Sequence, residues 1–526
     1  MTDQARPDAV VVGAGHNGLV CAAYLARAGL DVLVLEARDE VGGCASTVDV
    51  LDGARANICS CDHTMVRTTP ILEELDLARH GLRYLDVDPS GLHMSWQDRR
   101  PWFSFHDVER TLESLALAHP DQVDGYRRYL AAAAPVARLL LDLTAAAPTV
   151  PAVLSRLVRR PRPPAALPRL LDWSRRSTAD VLRRFFTAEA LLGPAAATGP
   201  AVWGVPPQTP GTGLGALGYA MRHVVPVGRP VGGSGALPAA LAGALRAAGG
   251  RIRTGVRVDR VLVSGERVVG VRLAGGEVVE AATVVTAVDP ATVLVDWLAH
   301  PPPSLAAAAR RWALRPRRDG YEAKIDAVVT RRPELRDLDE SVTARLGVAE
   351  PLAPQLVVAP TLAQLRENHA LLGRGVVAER PVLLAAVPSA VDPALRVGGP
   401  DGGHVLSLEA LWTPYALPGG WAGSGEPQRW LSAYAELLEP GFLDSVSSWR
   451  VVTPEDYERD FGMPRGYAPS FSGGPLAALV GRDRELTRYE TPLPGLFLTG
   501  AGTFPGAGIW GAAGRNAAAV VLRRLP

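Results

Sequence analysis

Lysine is all but missing from this chain. Of 55 basic residues only Lys324 is a lysine, so positive surface charge is carried by arginine. Cysteine is scarce as well: Cys21, Cys44, Cys59 and Cys61 all fall in the first 61 residues, which excludes a disulfide framework spread over the fold. Cys59-Ser-Cys61 is too short for ordinary disulfide geometry, no Cys/His pair has zinc-ligand spacing, and Cys21 reads as a small core residue. A reducing cytoplasm suits all four thiols. Excess charge of one sign is absent too, the net being +1. That removes any general attraction to nucleic acid, and no aromatic–basic stripe argues otherwise. Long apolar runs are lacking. The nearest candidate, 130–158, is broken by Pro135, Arg138, Asp142, Pro148 and Pro151, so no spanning helix is expected. "MTDQARP" has no basic n-region, and no signal peptide is expected.

Glycine is where the sequence is rich. Gly13, Gly15 and Gly18 complete GxGxxG directly after the apolar run Ala9 to Val12. The first permits a tight turn, the second lets backbone approach a pyrophosphate, and the third lets a helix pack against the strand. The spacing predicts that helix over Leu19 to about Ala28, its amides toward the phosphates, and a returning strand from Asp31 to Leu35. Glu36 then stands where a carboxylate accepts hydrogen bonds from a ribose. Two other glycine runs fail the test. "GLGALG", 213–218, follows "VPPQTPGT" and reads as a loop. "GGSGALPAAL", 232–241, opens a helix and is followed by a strand "RIRTGVRVDRVLV", but no acid stands after it at nucleotide spacing. One dinucleotide site is therefore expected.

At the other end, "GLFLTGAGTFPGAGIWGAAGRNAAAVVLRRL" reads as a strand from Leu496 to Thr499, a glycine-dense turn and a helix. Gly500, Gly502, Gly506, Gly508, Gly511 and Gly514 bring backbone close to something flat or bulky. The helix N-terminus near Ile509 to Gly511 suits an electron-rich group. A nicotinamide enzyme needs no second glycine turn hundreds of residues on; a flavin, whose adenine and ring halves lie far apart, does.

Together with "TAVDP", these stretches resemble the phytoene desaturase-like flavoproteins, relatives of carotenoid desaturases and flavin amine oxidases. The resemblance covers the cofactor domain and matches the rest only loosely. It implies an α/β fold: a Rossmann-like FAD-binding domain of the glutathione-reductase/p-hydroxybenzoate-hydroxylase type, with an inserted α+β substrate domain. The expected boundaries are 1–85, 225–300 and 455–526 for the FAD domain, and 86–224 (mostly helical) and 301–454 for the substrate domain. Within 86–224 the Arg-Pro stretch 156–177 is either a solvated, loop-broken helix pair or a basic, apolar flap that touches a membrane surface or gates a tunnel.

The resemblance also implies roles. Gly13, Gly15 and Gly18 meet the pyrophosphate and Glu36 the ribose; Arg38, Gly42 and Gly43 line the adenosine and pyrophosphate side. Val258 holds adenine through its backbone, and Gly502, Ile509 and Trp510 sit at the isoalloxazine ring. Many relatives carry arginine just after the double glycine, where this chain has Cys44. A covalent flavin link through a cysteine or His63 stays open beside non-covalent binding. Lys324, in "YEAKIDAVV", occupies the place of a lysine that holds a water against flavin N5 in flavin amine oxidases and helps oxygen react. The other reading is a surface lysine or a pair with Asp326, which strand alternation puts on the same face. Trp412, Tyr415 and Tyr467 are candidates to line a substrate pocket, while His223, His369 and His404 are expected to be structural. The function implied is hydride abstraction from a largely apolar small molecule, by C–C desaturation or C–N oxidation, with O2 or a quinone as acceptor. The alternatives are a flavin-dependent isomerase of an isoprenoid-like substrate and a non-catalytic lipid or prenyl escort protein.

Overall fold

A computed structural model describes the chain apart from residues 1–5, 52, 60–61, 159–164, 200, 202–203, 299, 317–319, 400–401, 468–477, 480, 482 and 526. Cys61 and the middle of the Arg-Pro stretch thus lie outside the described residues.

The continuous apolar runs Ala9–Val12, Val32–Leu35 and Val284–Thr286 have no polar alternation, as strands buried on both faces should not. They form the middle of a parallel five-stranded sheet in the order Leu496–Leu498, Val284–Thr286, Ala9–Val12, Val32–Leu35, Arg251–Arg253. Val11, Val34 and Val285 point to one side, into a core shared with helices His16–Arg27, Ala236–Ala247 and Ala512–Leu522. Val10, Val12 and Leu35 point to the other, against an antiparallel three-stranded sheet, Val258–Ser264, Arg267–Leu273 and Val278–Glu280. The result is a three-layer unit built from both ends and the middle of the chain.

A second sheet has seven strands, ordered Val446–Val452, Tyr321–Val329, His404–Thr413, Leu383–Ala386, Leu356–Ala359, Gly91–Ser95, Trp102–Ser104. Its Tyr321–Val329 strand is buried throughout. Ala323, Ile325, Ala327 and Val329 face a core completed by Trp430 and Tyr434. Helices Val123–Thr144, Glu189–Ala197 and Gly218–Val224 form a separate core around Trp102, Tyr126, Tyr129, Trp173 and Tyr219.

Three local expectations need correction. The first helix starts at His16, not Leu19, because Gly18 lies inside its first turn. "GLGALG" is not a loop but a tight helical turn, Gly213–Leu217, running into helix Gly218–Val224. "RIRTGVRVDRVLV" is two strands in two sheets, parted at Gly255, whose φ is +69°. The stretch expected to be mostly helical also contributes strands Gly91–Ser95 and Trp102–Ser104 to the large sheet, the former by parallel pairing with Leu356–Ala359.

Candidate functional site

Gly13 leaves the first strand at φ +99°, donating its amide to the Leu35 carbonyl at 2.8 Å. A β-carbon on Gly18 would stand 2.1 Å from the Gly13 carbonyl oxygen, so only glycine lets the helix lie this close to the turn. A β-carbon on Gly15 would meet nothing within 4 Å. Gly15 is also the N-cap of helix His16–Arg27 and supplies no side chain to satisfy its first amides. Open space and free donors at a positive helix end make an anion cradle. Gly42 closes its side, donating to the Ala14 carbonyl at 2.9 Å and bridging to Gly15.

Glu36 lies at the edge of this cradle, nearly buried. It accepts from the Ala14 amide at 2.7 Å and the Arg38 amide at 2.9 Å. The Arg38 guanidinium donates to Ser46 Oγ at 3.0 Å and sits 4.6 Å over the Phe461 ring. The segment leading to Val258 runs alongside, Val256 donating to the Glu36 carbonyl at 2.8 Å, and the Val258 side chain itself is core.

The C-terminal turn meets the same cradle. A β-carbon on Gly514 would lie 2.2 Å from the Asn17 carbonyl oxygen, which places helix Ala512–Leu522 directly against helix His16–Arg27. Its N-cap, Gly511, has no capping side chain either. Two uncapped helix starts therefore lie side by side. Gly502 is buried in the turn; Ile509 and Trp510 are half-buried, and Trp510 Nε1 donates to the Ala507 carbonyl at 3.1 Å. His16 joins the two ends through a hydrogen bond to the backbone of Gly508. Burial outweighs that bond and pushes its imidazole down to about 4, so it is neutral at physiological pH. Sequence reasoning passed over His16 because its partner lies nearly 500 residues away.

The face of the Tyr321–Val329 strand opposite its apolar core carries Glu322, Lys324 and Asp326. Lys324 is completely buried. Its Nζ donates to the Asn57 carbonyl at 2.6 Å and pairs with the Asp326 carboxylate, whose second oxygen accepts from Arg450 at 3.0 Å. The reading of a pair with Asp326 is what the side chain shows, but the pair is internal, not superficial. Asn57 closes the hairpin Thr47–Asp49/Arg55–Asn57 that follows the double glycine, so Lys324 joins the large sheet to the cofactor-side segment. Directly opposite Lys324 on the neighbouring strand stands Glu409. Burial, then the like charge of Glu322, pushes Glu409 up to about 8. Burial also raises Glu322, although it accepts from the Cys59 thiol at 3.6 Å. Cys59 in turn is raised by its contact with Cys44 and by burial, and the Cys44 thiol touches Met463 Sδ at 3.2 Å. Glu322 was readable from strand alternation; Glu409 was not, since it depends on cross-strand register.

The aromatic candidates are not gathered at Lys324. Trp412 sits at an irregularity of the strand at φ +64°, donates to the Ala201 carbonyl at 3.2 Å and abuts the His369 ring. Tyr415 pairs with the Glu458 carboxylate beneath Arg465. Tyr467, half-buried, lies against Gly204 at the border of the helical core. His63 is buried between Tyr84 and Ser234, at 3.0 and 3.1 Å. Among the described residues no His/Cys/Asp/Glu group is arranged to hold a metal ion.

Known proteins resemble this chain in sequence and in fold. The family model for flavin containing amine oxidoreductase matches residues 18–317. Pyridine nucleotide-disulfide oxidoreductase domain-containing protein 2 of Rattus norvegicus is 32% identical over 98% of this chain and 94% of its own length. A zeta-carotene-forming phytoene desaturase of Myxococcus xanthus is 29% identical over 95% of this chain and 90% of its own. Among solved structures, a variant of putrescine oxidase shares the fold with a TM-score of 0.61 at 18% identity, covering 99% of both chains.

Proposed function

The chain belongs to the flavin containing amine oxidoreductase family and is an FAD-dependent oxidoreductase; on that footing we propose that it takes hydride from a C–H bond of a largely apolar small molecule, by C–C desaturation. The observation that carries this reading is the meeting of two uncapped helix starts, with the buried Lys324 tied to the Asn57 carbonyl of the hairpin that follows the double glycine. The open cradle at Gly15, with Gly13, Gly18, Gly42 and Gly43 around it, fits a pyrophosphate, and Glu36 fits a ribose. Arg38 and the backbone at Val258 flank the adenosine side, and Gly502, Ile509 and Trp510 the ring side. Bound FAD supplies the hydride acceptor. Lys324, held by Asn57 and Asp326, contributes a fixed positive charge toward the ring and toward the oxidant, O2 or a quinone. A site of this kind acts by positioning and by excluding water. The likeness to a carotenoid desaturase supports an isoprenoid-like substrate over an amine.

The test is spectroscopic. The purified protein should be yellow and release FAD on acid precipitation. Anaerobic phytoene in detergent should bleach the flavin and give a product two hydrogens lighter, whereas putrescine should not. Bleaching by putrescine alone would move the assignment to C–N oxidation; unchanged product mass would indicate isomerisation.

A further inference from the structure

We propose that Cys44 and Cys59 are an oxidisable pair, which hydrogen peroxide converts to a disulfide that closes the base of the hairpin Thr47–Asp49/Arg55–Asn57. Nothing in this depends on the substrate.

The two thiols meet from opposite arms of that hairpin. Thr47 pairs with Asn57, and the Ile58 amide carries the ladder one step on, donating to the Ser46 carbonyl at 3.0 Å. The next step sets Ala45 opposite Cys59. There the first arm turns, the Ala45 amide donating to the Gly42 carbonyl at 3.1 Å, and Cys44 stands one residue off direct opposition. Directly opposed residues of an antiparallel pair are about 4.5–5.5 Å apart at Cα. A disulfide spans about 4.4–6.8 Å, so the offset keeps the pair in range. Both side chains enter one small apolar cluster, against Ile58, Val452, Tyr457 and Met463. The Cys44 thiol meets Met463 Sδ at 3.2 Å, the Cys59 thiol donates to Glu322 at 3.6 Å, and the two thiols are in hydrogen-bond contact with each other. Each is free and only half-buried, open to a molecule little larger than water. Cys21, wholly buried in the first helix, is out of reach.

Position gives the pair its consequence. Cys44 directly follows Gly43, where a β-carbon would stand 3.4 Å from the Gly15 Cα of the cradle. Cys59 comes two residues after Asn57, whose carbonyl holds Lys324. A bridge ties the arm that borders the cradle to the arm that anchors the large sheet.

The chemistry balances with peroxide as the sole oxidant. The Cys59 proton is engaged by Glu322, so Cys44 attacks first. Its sulfur takes one peroxide oxygen, the O–O bond breaks, and water leaves a sulfenic acid on Cys44. The Cys59 sulfur then attacks the Cys44 sulfur, the S–O bond breaks, and a second water departs. Two thiols give two electrons to one peroxide, and their protons leave in the two waters.

The test is mass spectrometry of the FAD-loaded protein after brief treatment with hydrogen peroxide. Labelled afterwards with a thiol reagent in denaturant, it should carry two labels fewer than the untreated protein. Its digest should contain the Cys44 and Cys59 peptides joined, two hydrogens lighter than their sum, and dithiothreitol should reverse both changes. Cys61→Ser should keep the link, while Cys44→Ser and Cys59→Ser should each abolish it. Full labelling after peroxide, or a link that uses Cys61 or joins two chains, overturns the proposal. So does a link that forms only after the wild type has been unfolded, an arm that needs no variant to fold.

Discussion

Replacing Lys324 by Met should destabilise the protein through what it leaves behind. Lys324 and Asp326 are both fully buried and paired. At an effective dielectric of about 20 two unit charges some 3 Å apart attract by roughly 5 kcal/mol, most of which offsets desolvation. The net value of the pair is therefore small, but removing one member strands the other, at about 3–5 kcal/mol. Asp326 keeps Arg450 at 3.0 Å, which pulls the estimate to the low end; the Asn57 carbonyl loses its donor, which adds about 1 kcal/mol. Unfolding entropy near 2.1 cal/mol/K per residue amounts to about 1.1 kcal/mol/K for a chain of this length. The expected fall in Tm is thus about 3–4 °C. Asp326→Asn should cost more, because among the described residues Lys324 has no other carboxylate within ion-pair distance. The double variant should cost less than the sum by roughly 1–3 kcal/mol, a coupling readable as 1–3 °C. Calorimetry of the four holoproteins at one scan rate measures all of this. Additivity within about 0.5 kcal/mol would refute the buried pair.

Three further outcomes are expected. Gly18→Ala places a β-carbon 2.1 Å from a backbone oxygen that cannot yield, so this variant should lose FAD on gel filtration while Gly15→Ala, facing open space, folds normally. Glu36→Ala should weaken FAD binding by about 10–100-fold in a fluorescence titration, the worth of hydrogen bonds to a charged group; unchanged affinity would remove Glu36 from the cofactor. The pH dependence of stability should have two signed components. His63, pushed down to about 3 by burial, stays neutral when folded, so its contribution is present above its unfolded value of about 6.5 and is lost as pH falls toward 3. Glu409 has the opposite sign: raised to about 8, it stabilises below its unfolded value and loses that contribution as pH rises through 8. Glu409→Gln should accordingly gain stability over wild type above pH 8, measured by thermal shift, and the gain should vanish in mild acid.

The dinucleotide turn of the cofactor unit was legible because it is local. Ala9–Val12, the glycine turn and Glu36 lie within 30 residues, and each element is short, apolar and punctuated. Strand Gly91–Ser95 was missed although it forms a local hairpin with Trp102–Ser104, because its other edge is set by parallel pairing with residues 356–359, far off in sequence. "GLGALG" was read as a loop because the proline-rich "VPPQTPGT" before it rules out a strand, and a helical turn was not weighed. There Gly213 permits close approach, a β-carbon standing 2.3 Å from the Trp173 carbonyl, inside a helical turn. The polar sheet face was half legible: alternation put Lys324 with Asp326, but Glu409 and Arg450 enter by register between strands 80 to 125 residues apart. Trp412 fell outside pattern reasoning for another reason. Its positive φ takes it out of strict alternation, so period-2 counting cannot say which side it faces.

The single lysine now has a physical account. Elsewhere the chain meets its need for positive charge with arginine, whose planar fork suits the exposed carboxylate pairs that recur over the surface, such as Arg272–Asp259 and Arg253–Glu277. At residue 324 the requirements differ. The cation must be compact, wholly buried, and satisfied by one carbonyl and one carboxylate, because Arg450 already occupies the other carboxylate oxygen. A guanidinium brings five donors in a rigid plane, more than the Asn57 carbonyl and one Asp326 oxygen can accept. An ammonium brings three donors on a flexible stem and leaves one aimed at neither partner. That remaining donor, on the polar face of the Tyr321–Val329 strand, is what a buried charge serving bound flavin would need. Arginine thus serves both the exposed pairs and the buried partner of Asp62, and lysine the position where one carbonyl and one carboxylate oxygen are what the interior offers.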